Sequence, residues 1–207
     1  MRKKTSNVAC NVHRFTVGVE LSTLIVLALT GCGSSAPANV RDFNAALNQL
    51  ECQAHFKCCP SAPSKWASES ACETALDTDP QQLAKVASAE ADIAQGSARY
   101  DQAAAGRLLD TAHEWTASCD HPVDVRLFAS ELNAVVVGTL PIGTACAPGY
   151  VQCASGQCTD GVCAMAPAMS APLADGQSCA QDADCASNRC HGTCVAVTVA
   201  EVLCALP

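Results

Sequence analysis

The chain has 207 residues, 16 of them cysteine, and a formal net charge of −8 at pH 7. An acidic chain lacks the positive surface that neutralises phosphates, so we expect no nucleic-acid partner. Apolar residues make up 49% of the chain, which is too many for a disordered protein. So much cysteine is rare in reduced cytosolic enzymes and favours an exported, disulfide-bonded protein of one or two small domains.

The first 31 residues have the pattern of a bacterial signal peptide. Four basic residues come before or at the start of a mostly apolar run, Phe15 to Thr30, which is interrupted by Glu20. The unbroken core of this run covers residues 21–30, whereas a membrane-spanning helix needs about 20 residues. We therefore predict a leader at 1–31 and no transmembrane helix in the mature chain.

The leader ends in Leu29-Thr30-Gly31-Cys32, which resembles the lipobox of bacterial lipoproteins. The resemblance implies cleavage before Cys32 and a diacylglyceryl thioether on its sulfur, so that the membrane is the first expected partner. Each buried methylene of an acyl chain contributes about 0.8 kcal/mol to such anchoring. Gly33 rather than aspartate follows, which in many Gram-negative lipoproteins implies the outer membrane. An ordinary secretory leader with a chance cysteine is the alternative.

Leader removal leaves an even number of cysteines for disulfide bonds. It takes away four basic residues and one acidic residue, which changes the net charge from −8 to −11. It also removes Cys10, and lipidation uses Cys32, so that seven disulfides become possible. The candidates are Cys52, Cys58, Cys59, Cys72, Cys119, Cys146, Cys153, Cys158, Cys163, Cys179, Cys185, Cys190, Cys194 and Cys204.

After a small-residue tether at 32–38, residues 39–134 have the pattern of an alanine-rich helical domain. Apolar residues recur there at helical spacing, and helix-capping residues precede four segments. The predicted caps are Asn39, Ser64, Asp79 (before Pro80) and Asp101, and Trp66 is expected inside the second helix. A fifth, amphipathic stretch is predicted at 125–134.

Alanine favours helix but gives thin apolar faces, so we expect disulfides to compensate for a small core. Bridges from the first helix to the second or fourth helix are the expected pattern. The helical domain holds five cysteines, an odd number, and Cys204 is the cysteine left over elsewhere. We therefore predict that Cys204 closes back onto this domain, and that the adjacent Cys58 and Cys59 bridge to separate partners.

Residues 135–207 form a cysteine-rich region with two sets of four cysteines. Their spacings are Cys146-x6-Cys153-x4-Cys158-x4-Cys163 and Cys179-x5-Cys185-x4-Cys190-x3-Cys194. A unit this short cannot bury enough apolar surface to fold unaided, whereas native disulfides contribute roughly 2–4 kcal/mol each. Four cysteines allow three connectivities. We favour first-to-third and second-to-fourth, because each bridge then staples a turn across its neighbour.

The order of glycine, acidic and serine residues around these cysteines, clearest from Asp182 to Cys194, resembles the Dickkopf N-terminal cysteine-rich repeat. It is also similar to tandem repeats at the C-termini of bacterial cysteine-rich lipoproteins, in which an alanine-rich helical region comes first. The resemblance covers Val135–Val195 and implies an extracytoplasmic, disulfide-bonded module. It does not carry over the eukaryotic receptor-binding role, because no receptor-contacting motif matches.

The predicted fold class is therefore an α-helical N-terminal domain followed by small, disulfide-rich, mostly irregular tandem repeats. The sequence has no C-x2-C pair of the kind that structural zinc and thioredoxin-like sites use, and no G-x-S-x-G or P-loop motif. Cys190-His191 offers mixed ligands, but Thr159 stands in place of His191 in the first repeat. We expect no catalytic residue, no metal and no cofactor.

Two functions are favoured over a third, an envelope enzyme with a site of scattered Asp, Glu and His, which no spacing in the sequence supports. The leading hypothesis is a non-enzymatic outer-membrane lipoprotein that binds a protein or glycan of the envelope. Its candidate contact residues are Tyr150, Met165, Met169 and Arg189. The alternative is an inhibitor of a protease or another enzyme, because disulfide scaffolds hold binding loops preorganised. Asn188-Arg189 or residues 148–150 would then form the presented loop.

Overall fold

The computed structural model describes residues 36–60, 65–147, 151–166 and 171–204. Its elements are α1 Val40–Cys58, α2 Glu69–Asp77, α3 Pro80–Gln95, β1 Ala98–Tyr100, α4 Gln102–Thr116, α5 Val125–Val135, β2 Val136–Gly138, β3 Cys158–Thr159, β4 Val162–Cys163, a 3-10 turn Asp182–Asp184 and α6 Val199–Cys204. An α-helical N-terminal region thus precedes a disulfide-rich region with little regular structure. Among the described helices, none is long and apolar enough to cross a membrane. The predicted leader and Cys32 lie outside the described residues.

Short polar side chains start the helices, as the sequence predicts. The side chain of Asn39 accepts a hydrogen bond from a backbone N–H of the first turn of α1, and Asp101 does the same for α4. Asp79 accepts from two backbone N–H groups, at 2.8 and 2.9 Å, ahead of α3. These contacts satisfy amides that have no partner within the helix.

The second helix begins later than predicted. Its cap is Ser68, whose hydroxyl accepts from the backbone N–H of Ala71 at 3.1 Å, so that Trp66 precedes α2. Trp66 instead packs its ring edge-to-face against the ring of His55 on α1. The predicted cap Ser64 lies outside the described residues.

The helical core lies where α1, α4 and α5 meet. Small side chains on α4 allow α1 to approach closely, and larger ones fill the remaining space. The buried members are Phe43, Leu50, Ala104, Ala105, Leu108, Leu109, Ala112 and Val135. At one end of this core, β1 pairs antiparallel with β2, with Ala98 opposite Gly138. Ala36 and Pro37, from the end of the predicted tether, accept hydrogen bonds through their carbonyls from Gln102 and Tyr100 at 2.8 and 2.9 Å.

Three disulfides brace the helical region from α1. Cys52–Cys72 joins α1 to α2, and Cys58–Cys119 joins the end of α1 to the segment after α4. Cys59–Cys204 joins the same end of α1 to α6. The adjacent cysteines therefore have separate partners, and Cys204 closes onto the helical region, as the sequence predicts.

Four disulfides hold the two repeats. The pairs are Cys146–Cys158 and Cys153–Cys163 in the first repeat, and Cys179–Cys190 and Cys185–Cys194 in the second. Both repeats follow the first-to-third, second-to-fourth pattern. Eight cysteines form these four bridges, each across a loop of 9 to 12 residues, so the bridges themselves hold the short loops of the repeats.

Each repeat forms backbone hydrogen bonds with the helical region, and both belong to one compact unit, Ser34–Pro207. Leu140, just after β2, exchanges two backbone hydrogen bonds of 2.9 Å with the first repeat. The backbone N–H of Arg126 on α5 donates to the carbonyl of Ala186 in the second repeat. Gly138 permits the first contact, because a Cβ there would collide with the backbone of residues 152 and 153.

Candidate binding cleft

Two of the four predicted contact residues, Met165 and Arg189, lie among the described residues. Met165 is 76% exposed after the first repeat. Arg189, in the second repeat, forms an ion pair with Glu201 of α6 at 3.0 Å, and its carbonyl accepts from the backbone N–H of Val195. Tyr150 and Met169 lie outside the described residues. The Asn188-Arg189 segment, a presented loop in the inhibitor hypothesis, is thus held by contacts within the protein.

The polar groups of the second repeat shape its backbone. One carboxylate oxygen of Asp184 accepts from the backbone N–H groups of Ala180 and Gln181, at 2.9 and 3.1 Å. These hydrogen bonds are the main reason that the pKa of Asp184 is lowered. Asp182 accepts from the backbone N–H of Cys190 at 2.7 Å. Both acids therefore stabilise turns of the repeat.

The closest sulfur clusters belong to the disulfides. The Sγ atoms of Cys146, Cys153 and Cys163 lie within 4.8 Å of one another, and a matching trio stands in the second repeat. Each of these sulfurs is bonded to another sulfur. Metal ions bind cysteine as the free thiolate. In the oxidised repeats these sulfurs are held in disulfides, where they act as structural cross-links.

A concave cleft of about 580 Å³ opens between the helical region and the first repeat. This volume is typical of sites that enclose small ligands. Its walls come from α1, α3, the α5–β2 junction and one residue of the first repeat. The lining consists of Val40, Phe43, Asn44, Gln82, Ala84, Lys85, Val86, Ser88, Ala89, Asp92, Leu132, Val135, Val136 and Val151. Val151 directly follows the predicted contact loop at 148–150.

Asp92 is the buried polar group of this cleft, with 6% of its surface exposed. Its Oδ1 atom accepts from Gln152 Nε2 at 2.7 Å and from the hydroxyl of Ser97 at 3.1 Å. The amide oxygen of Gln152 in turn accepts from the backbone N–H of Ala147 at 2.9 Å. The carboxyl group therefore links α3 to the first repeat through neutral donors. Its Oδ2 atom has no hydrogen-bond partner among the described residues.

The charged residues near the cleft form no ion pair with Asp92 among the described residues. Lys85 is exposed and precedes Asp92 by seven residues on α3, a rise of roughly 10 Å along the helix axis. Arg41 and Glu90 form an ion pair of 2.7 Å between α1 and α3, next to the lining residues Val40 and Ala89. Both partners are well exposed, so solvent screens this pair and it contributes little to the stability of the fold.

The sequence carries one indication of this site outside the cysteine and catalytic motifs. Val86, Ala89 and Asp92 recur at intervals of three residues, which places them along one stripe of α3. A carboxylate on an otherwise small and apolar stripe marks a polar group turned towards the protein. Its partner Gln152 is 60 residues away in the chain, so that only the folded structure brings the two together.

A second, smaller cleft of about 270 Å³ lies among α1, α4, α5 and α6. It is almost entirely apolar, and the rings of Trp115 and Phe128 lie side by side in it with centroids 5.4 Å apart. Glu51 is the ionisable residue in its lining, and burial raises the pKa of this carboxyl group. Val202 and Leu203 of α6 form part of its wall.

Comparisons of the chain with protein-family models, with curated proteins and with solved structures find no match. The functional assignment therefore rests on the chemistry of the disulfides and of the cleft around Asp92.

Proposed function

We propose that this chain is an exported bacterial envelope protein, anchored in the outer membrane by lipid on Cys32, with a non-catalytic binding role. The pairing of fourteen cysteines in seven disulfides carries the proposal. Disulfides form and persist in exported proteins and are rare in reduced compartments. The chain contains two further cysteines, Cys10 in the predicted leader and Cys32 at its end. The leader pattern predicts that Cys10 is removed with the signal peptide, and the lipobox pattern predicts that Cys32 is lipidated.

The shape of the described region supports binding. The cleft around Asp92 is concave, mostly apolar and supplied with few polar groups, which is the usual composition of a ligand site. Its repeat-side wall, at Val151, is two residues from the Cys153–Cys163 bridge. A wall held by a disulfide loses little conformational freedom when a ligand arrives, and preorganised sites bind more tightly for this reason. We propose a protein segment or a glycan of the envelope as the ligand.

The anchor is tested by metabolic labelling. The full chain is expressed in a Gram-negative host fed with an alkynyl fatty acid, beside the variants Cys32→Ser and Cys10→Ser. We expect label on the wild type and on Cys10→Ser, both in the outer-membrane fraction, and none on Cys32→Ser. Cys10→Ser is the matched control, because it removes a cysteine of the leader and leaves the lipobox intact. An unlabelled wild type, or label that persists on Cys32→Ser, contradicts the anchor.

Export is tested on the same material by mass. We expect the oxidised protein to lack the fourteen thiol hydrogens of residues 52–204 and to regain them on reduction. Peptide mapping without reduction then checks the individual pairs. Free thiols in this part of the chain, in protein taken from the envelope, would contradict the proposed compartment.

A further inference from the structure

We infer that the cleft around Asp92 takes a ligand with an apolar body and a single ammonium group, and that the ammonium binds Asp92 Oδ2. The inference rests on the proposed binding role and specifies the chemistry of its ligand. Three features carry it: the apolar walls, the buried carboxyl group without a cationic partner, and the unused oxygen of that carboxyl group.

The walls fit the apolar body. Leu132 on α5 and Val151 in the first repeat are 40% and 43% exposed, although both line the same concave surface. A ligand that covers exposed apolar side chains gains binding free energy of about 25 cal/mol for each Å² of apolar surface that it buries. Phe43 and Val86 line the same cleft and are buried, so they add apolar surface that is already packed within the fold.

The carboxyl group fits the ammonium. Asp92 is almost fully buried and receives hydrogen bonds from a serine hydroxyl and a glutamine amide, both neutral. No lysine, arginine or histidine of the described residues forms an ion pair with it. A buried carboxylate without a counter-charge is costly, and pairing with a cation reduces that cost.

The hydrogen bonds of Asp92 leave one of its carboxylate oxygens available to a ligand. Both protein donors use Oδ1, so that Oδ2 keeps its capacity to accept a hydrogen bond from a ligand. Hydrogen bonds between an ammonium and a carboxylate are about twice as strong as those between neutral groups. An alcohol of the same shape is therefore expected to bind more weakly, and a carboxylate is expected to be repelled.

The test uses purified, oxidised residues 33–207, exported behind a cleavable secretory leader, because this part keeps every described residue and lacks both the apolar leader and the lipidated cysteine. The probes are n-hexylamine, n-hexanol and hexanoate, which share one apolar body and differ in the end group. Titration calorimetry at low salt is expected to show hexylamine binding at least tenfold more tightly than hexanol, with no binding of hexanoate. Equal binding of hexylamine and hexanol, or tighter binding of hexanoate, would overturn the inference.

Two variants locate the effect. Asp92→Asn keeps the size of the side chain and an oxygen for the two donors, and is expected to lower hexylamine affinity at least tenfold to that of hexanol. Asp110→Asn removes an exposed acid from α4 outside the cleft and is the matched control, with no change expected. If Asp110→Asn lowers the affinity for hexylamine as much as Asp92→Asn does, hexylamine responds to the net charge of the protein and not to this site, which would overturn the inference.

A third variant keeps the test decisive if Asp92→Asn fails to fold. Ala89→Phe fills the cleft without altering the carboxyl group, and we expect it to abolish binding of hexylamine and hexanol alike. Retained hexylamine binding by a folded Ala89→Phe protein would place the amine elsewhere and overturn the inference. Near-ultraviolet circular dichroism and the intact disulfide mass confirm that each variant is folded.

The source of the ammonium is resolved with a second pair of probes. Leucinamide carries the free amine of a peptide N-terminus, and N-acetyl-leucinamide lacks it. Tighter binding of leucinamide than of hexylamine assigns the site to a peptide end, and the reverse order assigns it to an alkyl amine; both support the inference. These titrations do not depend on lipidation, so a failed anchor and a failed ligand class give separate results.

Discussion

The helical region and the two repeats are held together in different ways. In the helical region, side chains of α1, α4 and α5 form a core, and three bridges join residues 20, 61 and 145 positions apart. In the repeats the bridges join residues only 9 to 12 positions apart, and the buried residues are mostly the cysteines themselves. Disulfides therefore supplement a core in one region and replace it in the other.

The largest expected effect comes from the longest bridge. A disulfide that closes a 145-residue loop is worth about 5 kcal/mol in the chain-entropy account. We expect Cys59→Ser with Cys204→Ser to lower the free energy of unfolding by about 4 kcal/mol, because the remaining bridges, above all Cys58–Cys119, already shorten this loop in the unfolded chain. Denaturant unfolding followed by circular dichroism measures the change. A loss below about 1 kcal/mol would show that the entropic account does not hold here.

The next effect compares the two kinds of core directly. Removing the bridge of a 10-residue loop, with Cys153→Ala and Cys163→Ala, is expected to cost about 3 kcal/mol. Leu108→Ala in the helical core is expected to cost about 2–5 kcal/mol by leaving a cavity.

The two costs are similar, but their locations differ. Hydrogen exchange is expected to increase mainly within residues 140–163 for the cysteine pair, and across α1, α4 and α5 for Leu108→Ala. If the cysteine pair exposes the helices as much as Leu108→Ala does, the two regions depend on a single core.

A smaller effect is expected at the contact between the regions. Gly138→Ala places a Cβ against the backbone of residues 152 and 153, so the first repeat must shift away from β2. We expect a loss of about 1–3 kcal/mol, as for other overpacked sites. Val137→Ala on the same strand is the control for a change of strand side chain. Equal stability of wild type and Gly138→Ala would contradict the close contact.

The smallest effect is a pH dependence in the helical region. Burial raises the pKa of Glu51 above its value in the unfolded chain, so folding favours the protonated form. The stability that wild type loses at neutral pH is regained as the pH falls through the raised pKa towards 4.5. Glu51→Gln is expected to be more stable than wild type at pH 7, with the difference shrinking at pH 5. Thermal unfolding of both proteins at the two pH values measures it, and a constant difference would contradict the assignment.

Short-range chemistry explains which features could be predicted from the sequence. Asn39, Asp79 and Asp101 cap helices through amides two or three residues away, so their patterns are visible in a few letters. The connectivity of the repeats is likewise set by turns of a few residues. The cap of α2 is Ser68 and not the predicted Ser64, because Trp66 packs against α1 instead of joining the helix. No local sequence pattern reveals that contact.

The candidate cleft could not be predicted, because its parts are distant in the chain. Strand β1 exists through its pairing with β2, about 40 residues further on, and was not expected from its own three residues. Asp92 becomes part of the cleft wall through a hydrogen bond from Gln152, which lies in the first repeat and 60 residues further along the chain. The α3 stripe that carries Asp92 is visible in the sequence, whereas the residues that meet it through tertiary packing follow no regular spacing.

The Cys59–Cys204 bridge has a consequence for survival among proteases. It joins α1 to α6 across most of the described chain, so a single backbone cut anywhere between residues 60 and 203 leaves both fragments covalently joined. The nicked protein keeps its mass on a gel without reductant and separates into two pieces only when reduced. A protein with this bridge is expected to tolerate a first cleavage in its surface loops and to retain the assembled cleft.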